Sequence, residues 1–284
     1  MDEIEIVPAD DDRLEEIARR HFSEESLALL LGMARIDRDC AWLALDESTP
    51  IGMCVAHDLE DERFICPLVV EPGFRAGGLA TELLARVHNN DTPGMPSALI
   101  DVQFPVPMAF ALKAGLALRV PVTSVSGAIP TDDVLLELAG GMQSFGVKPL
   151  DPFEQARSLD AIDRQVRGGA RARDHQELFS RGVGSAFFVD NSMVGYAYVR
   201  RDGRIGPLAA VAASYVAPLF AYSMAAIRRE FGASWCTALI PGVNMRAQRV
   251  ALRAGLTVEG SYIFAGDVDI GELECYVGAD PVLF

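Results

Sequence analysis

Pro67-Leu68-Val69-Val70-Glu71-Pro72-Gly73-Phe74-Arg75-Ala76-Gly77-Gly78-Leu79-Ala80-Thr81-Glu82-Leu83-Leu84 is the stretch on which the reading of this 284-residue chain turns. A short apolar strand runs into a loop punctuated by Pro and Gly, and the loop opens a helix. Leu79, Leu83, Leu84 and Val87 recur at helical spacing and give that helix an apolar face. The small residues of Arg75-Ala76-Gly77-Gly78 leave backbone N–H groups uncovered, and a helix start carries partial positive charge. Together they predict a cradle for a phosphate or diphosphate. The spacing is not Gly-x-Gly-x-x-Gly, so the dinucleotide fingerprint is absent.

The same residues resemble the acyl-CoA signature of the GNAT acetyltransferases: Arg or Gln, two residues, Gly, one residue, then Gly or Ala. Arg75, Gly78 and Ala80 fill it, preceded by Val70, Pro72 and Phe74 as is common in that family; Ala76 stands where Gly is commoner. The resemblance implies an N-acetyltransferase that moves an acetyl group from acetyl-CoA, its co-substrate, to the amine of a small molecule or to an exposed amino group such as a peptide's. It assigns the diphosphate to Arg75, Ala76, Gly77, Gly78, Leu79 and Ala80. It assigns the thioester to the backbone of Leu68, Val69 and Val70, on a strand that splays at a bulge.

Composition narrows the alternatives. Half of the residues are apolar, enough for two cores, and no 18-residue uncharged apolar run is present, so no membrane span or membrane partner is expected. The net charge of −15 lies in the first half: residues 1–142 hold 25 acids and 10 bases, and residues 143–284 hold 15 of each. That argues against nucleic acid, which needs a basic surface, and suits either solubility or the steering of a cationic amine. The acidic start, Met1-Asp2-Glu3-Ile4-Glu5, is unlike a signal peptide. The five cysteines (Cys40, Cys54, Cys66, Cys236, Cys275) are scattered and mostly apolar in context, which predicts buried thiols in a cytoplasmic protein. The four histidines are isolated, so no metal site is expected. A monomer and a homodimer are both compatible with the sequence.

Compared with itself at an offset of 140, the chain repeats. Cys66-Pro67-Leu68-Val69-Val70 answers to Gly206-Pro207-Leu208-Ala209-Ala210, and Ala111-Leu112-Lys113-Ala114-Gly115-Leu116 to Ala251-Leu252-Arg253-Ala254-Gly255-Leu256. Near that offset, Ile51-Gly52-Met53-Cys54-Val55 parallels Val194-Gly195-Tyr196-Ala197-Tyr198. The repeat implies two divergent copies of one α/β (α+β) module, each a mixed, mostly antiparallel sheet flanked by helices. The expected order in each is a helical region, a hairpin, a long strand, a helix, a strand, a short helix and a last strand. The expected bounds are a GNAT domain over 1–130, a linker over 131–150 containing Gly140-Gly141, and a divergent GNAT-like domain over 151–284. The second half further resembles the C-terminal domain of bacterial tandem-GNAT proteins of the YitH type, through Leu159 to Arg164, Gly168 to Arg171, Arg173-Asp174, Gly195-Tyr196 and Ile205 to Ala210.

The offset sets Tyr215, Pro218 and Phe220 opposite Arg75, Gly78 and Ala80. Pro has no N–H and the aromatics add bulk, so the first copy alone is expected to hold acyl-CoA. The helix of the second copy is expected over Tyr215–Glu230, with Pro218 in or near its first turn. Two carboxylates are candidate bases. Glu62 lies four residues before Cys66, a spacing found in the histone-acetylating branch of the family, and Asp101 lies near the end of the next strand. The Tyr that in many members protonates the leaving thiolate is replaced by Ala111 and Ala251. Tyr196 and Tyr198 share one strand face, as core or as the lining of a cleft. Asp160, Asp163, Arg173 and Asp174 read as substrate contacts or as caps and surface ion pairs. A non-catalytic acyl-CoA sensor and a tandem interaction scaffold are the competing classes.

Overall fold

The structure, a computed structural model, describes residues 4–88, 94–140 and 145–284; Met1, Asp2 and Glu3 of the acidic start and Gly141 of the linker lie outside the described residues. It divides into two compact units, Met1–Leu99 and Ile100–Phe284.

The first unit runs β1 (Glu5–Pro8), α1 (Asp11–Ala18), α2 (Glu24–Ile36), β2 (Ala41–Asp46), β3 (Thr49–Leu59), β4 (Glu62–Val70), α3 (Leu79–Val87) and β5 (Met95–Asp101), whose last two residues fall in the second unit. The helical region expected at the start is two helices. Asp10 caps the first by accepting from the Arg13 N–H at 3.0 Å, and Ser23 caps the second by accepting from Ser26 at 3.3 Å. Strands β1 to β4 pair antiparallel in sequence order, and β4 pairs β5 in parallel. One face is packed by α3, whose Leu79, Leu83 and Val87 join Cys54, Ala56 and Ile65 in a core.

The second unit holds α4 (Pro105–Lys113), β6 (Leu118–Ala128), α5 (Asp132–Leu138), β7 (Gly146–Pro149), α6 (Ala156–Arg167), α7 (Ala172–Arg181), β8 (Gly182–Val189), β9 (Ser192–Arg200), β10 (Arg204–Ala210), α8 (Ala213–Phe231), β11 (Trp235–Pro241), α9 (Met245–Arg253), β12 (Thr257–Gly266) and β13 (Tyr276–Val277). Its strands lie in the order β12-β6-β11-β10-β9-β8-β7, with β13 on β10. From β7 to β11 it repeats the plan of β1 to β5: a short edge strand, a hairpin, a long strand, a helix and a parallel return strand.

The compact units differ from the bounds expected from sequence, and strand pairing is the reason. β6, assigned to the first module, pairs along its length with β11 (Trp235↔Ala128 to Pro241↔Val122) and with β12 on its other side. The closing strand of the first copy is therefore an inner strand of the second unit's sheet. The span read as a linker also contains α5 and β7. Leu135 and Leu138 of α5 are buried in the core that α8 dominates, and they fold the linker onto the unit.

Candidate functional site

The site is made by two strands that part. β4 pairs β5 only at Glu62↔Met95, Arg63↔Pro96 and Phe64↔Ser97. On its other side β4 pairs β3 with a register shift between Cys54↔Leu68 and Ala56↔Ile65, so Cys66-Pro67 forms a bulge. Leu68 and Val69, past the bulge, are partly exposed on β4, and Val70 ends the strand. Then Pro72–Phe74 makes one tight turn, and α3 starts at Leu79.

The loop between them has the shape of an anion cradle. Ala76 and Gly78 both take left-handed backbone (φ +68° and +88°), so the chain alternates hand, the backbone pattern of anion-binding nests. Only Gly takes that conformation without strain, which makes Ala76 an energetic liability of about 1 kcal/mol. A methyl group placed at Gly73 or Gly78 would meet nothing within 4 Å, and one at Gly77 only the Phe74 carbonyl at 3.9 Å. Residues 75–78 are exposed, while Leu79 just behind them is buried and anchors the helix start. Arg75 is tied down: its Nε donates to the Val70 carbonyl at 2.8 Å and fixes the loop to the end of β4. Glu71 accepts from Arg20 Nη1 at 3.1 Å and lies 3.4 Å from His21 Nε2, which pins the α1–α2 turn to the same strand end. Burial pushes the Glu71 carboxyl up, but Arg20 and His21 outweigh it and hold it below its usual range.

Neither candidate base stands at the parting of the strands. Glu62 is buried at the closed end of β4, where β4 and β5 still pair, and it accepts a hydrogen bond from the Ser97 hydroxyl. Six strand residues separate it from Leu68, about 20 Å at roughly 3.3 Å per residue. Asp101 accepts from the Gln103 N–H at 2.8 Å and caps the turn after β5. Ala111, at the position of the missing acid, is core. A buried pair that sequence spacing could not show joins α2 to β3: His57 Nδ1 sits 2.5 Å from Asp37 Oδ2, twenty residues away in sequence. Among the described residues no cluster of metal-ligating side chains occurs.

The equivalent place in the second unit is closed. β10 pairs β11 only at Arg204↔Thr237 and Ile205↔Ala238, and a bulge at Gly206-Pro207 interrupts its pairing with β9. Here, however, β13 fills the opening: Leu208↔Val277 and Ala209↔Tyr276 pair antiparallel, and Gly278 bridges to Leu239 on β11. The cradle is gone too. α8 begins at Ala213, six residues before the counterpart of Leu79, so helix replaces the loop. Helix α8 thus starts two residues before the expected Tyr215. Pro218 lies inside it rather than at its start, and Phe220 is fully buried. Tyr196 and Tyr198 are wholly buried core residues. Asp163 accepts from the Tyr196 hydroxyl and lies 2.8 Å from His175 Nε2, and Asp174 pairs Arg171 at 2.8 Å, so neither carboxylate is a surface contact. Burial is the main force that raises the Tyr196 and Tyr198 hydroxyls well above their usual range, with the Asp163 charge adding to it.

The splayed strand, the bulge and the loop before α3 together make up the candidate site. Residues 9–88 match the acetyltransferase (GNAT) family, so the chain carries a GNAT acetyltransferase domain in its first unit. No curated protein matches the sequence significantly. Among solved structures, the chain is similar to a candidate acetyltransferase of Pyrococcus horikoshii (18% identity, 99% of this chain and 96% of that one, TM-score 0.76). It is also similar to a tandem GNAT protein of the clavulanic acid biosynthesis pathway (15%, 94% and 98%, 0.64) and to a GCN5-related N-acetyltransferase of Sphaerobacter thermophilus (11%, 98% and 97%, 0.58). These likenesses are of fold, and they make the whole chain a tandem GNAT fold.

Proposed function

We propose that this protein transfers an acetyl group from acetyl-CoA to an amine, with acyl-CoA held by the first unit alone. The observation that carries this is the contrast at equivalent positions: an open cradle at 72–78, and helix plus a filled groove at 208–218. The filled groove also supports the class of ligand. The backbone of Leu208 and Ala209 takes an extended peptide, so the same backbone at Leu68 and Val69 suits an extended arm carrying amides, which the pantetheine of CoA is.

In this reading, backbone groups at Leu68 to Val70 orient the arm, and Ala76 to Ala80 present N–H groups to the diphosphate. Arg75, bonded to Val70, keeps the loop and the strand end in register and adds positive charge. When bound, acetyl-CoA supplies the activated acyl group. Glu62, buried against Ser97 and about 20 Å along the strand from Leu68 at roughly 3.3 Å per residue, is out of reach of the acceptor ammonium even through one water, so the proton leaves to solvent. The excess of acids in the first half favours a cationic amine by steering. None of the five cysteines is in a disulfide, which suits a reducing compartment such as the cytoplasm.

Calorimetry with acetyl-CoA tests the cradle. Gly77→Glu places a carboxylate in open space without demanding left-handed backbone, and it is expected to abolish binding while the thermal transition stays put. Unchanged affinity refutes the assignment. Release of CoA thiol with a panel of amines tests catalysis. Saturable binding without turnover on any amine favours the sensing reading, which the Ala111 replacement supports.

A further inference from the structure

The end of β4 carries an imidazole–carboxylate pair that the second unit does not repeat at the equivalent place. Glu71 follows Val70 directly, and its N–H donates to the Ile51 carbonyl at 2.8 Å. Val211 makes the matching bond in the second unit, to the Val194 carbonyl at 2.9 Å, so the two residues correspond in register. Arg20 and His21, from the turn after α1, meet Glu71. Arg20 Nη1 donates to Glu71 Oε1 at 3.1 Å and to the Pro50 carbonyl at 3.3 Å, while Nη2 holds Glu16 of α1 at 2.6 Å. His21 Nε2 lies 3.4 Å from the same Glu71 oxygen. Val211 has no ionisable side chain, and its carbonyl accepts from the neutral amide of Gln165 at 3.1 Å, which also holds Glu272 at 3.0 Å.

The pair is placed where proton transfer is needed. Val70 packs into the core beneath α3, so alternation turns Val69 and Glu71 to the opposite face of the sheet. Leu68 to Glu71 is three residues, about 10 Å at roughly 3.3 Å per residue, half the span to Glu62. The Arg20 and His21 contacts hold the Glu71 carboxyl below its usual range. A carboxylate facing Nε2 fixes the ring tautomer: Nε2 carries the hydrogen, and Nδ1 is left with its lone pair. The ring is not sealed in, since 26% of the side chain is exposed, and a proton taken up there can pass to water. Histidine changes charge near neutral pH, as a general base requires. Pinning the turn does not call for the imidazole, because Arg20 already ties it to Glu71 and to the Pro50 carbonyl.

We propose that His21 is the general base of the transfer and Glu71 its positioning residue. This rests on the acyl-transfer reading above and deepens it: the proton that leaves to solvent leaves through this ring. Nδ1 of neutral His21 takes one proton of the acceptor ammonium, directly or through one water. The freed lone pair forms the C–N bond to the acetyl carbonyl carbon as the C–S bond breaks. The second proton of that nitrogen ends on the departing thiolate, and the imidazolium returns its own to water.

The test uses the full chain, acetyl-CoA and whichever amine of a panel releases CoA thiol fastest. His21→Gln is expected to lower kcat/KM for the amine at neutral pH at least about 100-fold. Its acetyl-CoA affinity by calorimetry is expected to stay within about twofold of wild type. In the wild type, kcat/KM rises with pH and levels off as the ring becomes neutral. In His21→Gln it keeps rising towards the amine's own pKa, since the amine must then arrive already deprotonated. Glu71→Gln moves the levelling to lower pH, because a ring without its carboxylate holds a proton less well. Imidazole added to His21→Ala is expected to raise its rate at least about tenfold, which a pinning role does not allow. The base assignment is overturned, with acyl transfer left standing, if His21→Gln levels off at the wild-type pH, keeps kcat/KM within about threefold, or loses acetyl-CoA affinity in step with rate. A wild type that binds acetyl-CoA but releases thiol with no amine overturns the transfer reading and the base with it.

Discussion

β4 and β10 are the same strand twice, and they part from their parallel neighbours within one residue of the same place, after Phe64 and after Ile205. Past their ends the two copies diverge. After Val70 the chain spends eight residues on a turn and a left-handed loop before α3; after Ala210 it enters α8 almost at once. Beside Leu68 the pairing of β4 with β5 has already ended, and beside Leu208 the place is filled by the chain's own strand. The comparison shows that the loop of the first copy is replaced in the second by a helix that grows backwards through it. Each copy has also gone its own way in the core. Below β9 there is a bonded network of Asp163, His175, Tyr196 and Tyr198, where β3 presents Met53 and Val55. Such a network is tolerable only when its members are satisfied, and it stiffens the module that has no cradle to serve.

The contrast can be broken from either side. The largest effect is expected at the cradle: Gly77→Glu should weaken acetyl-CoA binding at least about 100-fold, because a negative charge then sits where the diphosphate belongs. Next comes the sealed groove. Tyr276→Phe should lower the stability of the second unit by about 1–2 kcal/mol in denaturant melts, the cost of leaving a buried Arg171 donor unmet, with acetyl-CoA affinity unchanged. A smaller, opposite change is expected from Ala76→Gly. Relief of the left-handed strain should raise stability by up to about 1 kcal/mol and leave binding intact, measurable as a rise in melting temperature.

The smallest effect concerns Glu71. Its folded-state carboxyl is held below its usual range, so it adds stability above the unfolded pKa and loses it as pH falls through the folded one. Glu71→Gln should therefore cost a few tenths of a kcal/mol at neutral pH and flatten the acid limb of the stability profile below about pH 4.5.

Much of this was legible in the chain. The offset repeat gives two modules of one plan because Cys66 to Val70 and Gly206 to Ala210 occupy the same bulged strand. A loop before α3 could be read because Gly marks left-handed backbone, as at Gly78, although the left-handed turn at Ala76 could not, since Ala seldom adopts it. Pairing was the hidden part. Nothing local in Leu118–Ala128 says that it runs beside Trp235–Pro241, more than a hundred residues away, so the module bounds drawn from the repeat do not coincide with the compact units. The filling strand was hidden for the same reason, being two residues long. Asp163 could not be read as buried because its partners Tyr196 and His175 come from other elements, whereas Asp174 pairs Arg171 only three residues away and what the sequence hides is that both are buried. A charge on an amphipathic helix ordinarily faces water, and only the tertiary partner reverses that.

The central claim, one carrier per chain and only in the first unit, is tested most directly by a crystal of the protein soaked with acetyl-CoA. A single molecule is expected, its diphosphate against the N–H groups of residues 76–80 and its arm along Leu68 and Val69. A carrier lodged beside Leu208 and α8, or two per chain, would contradict it.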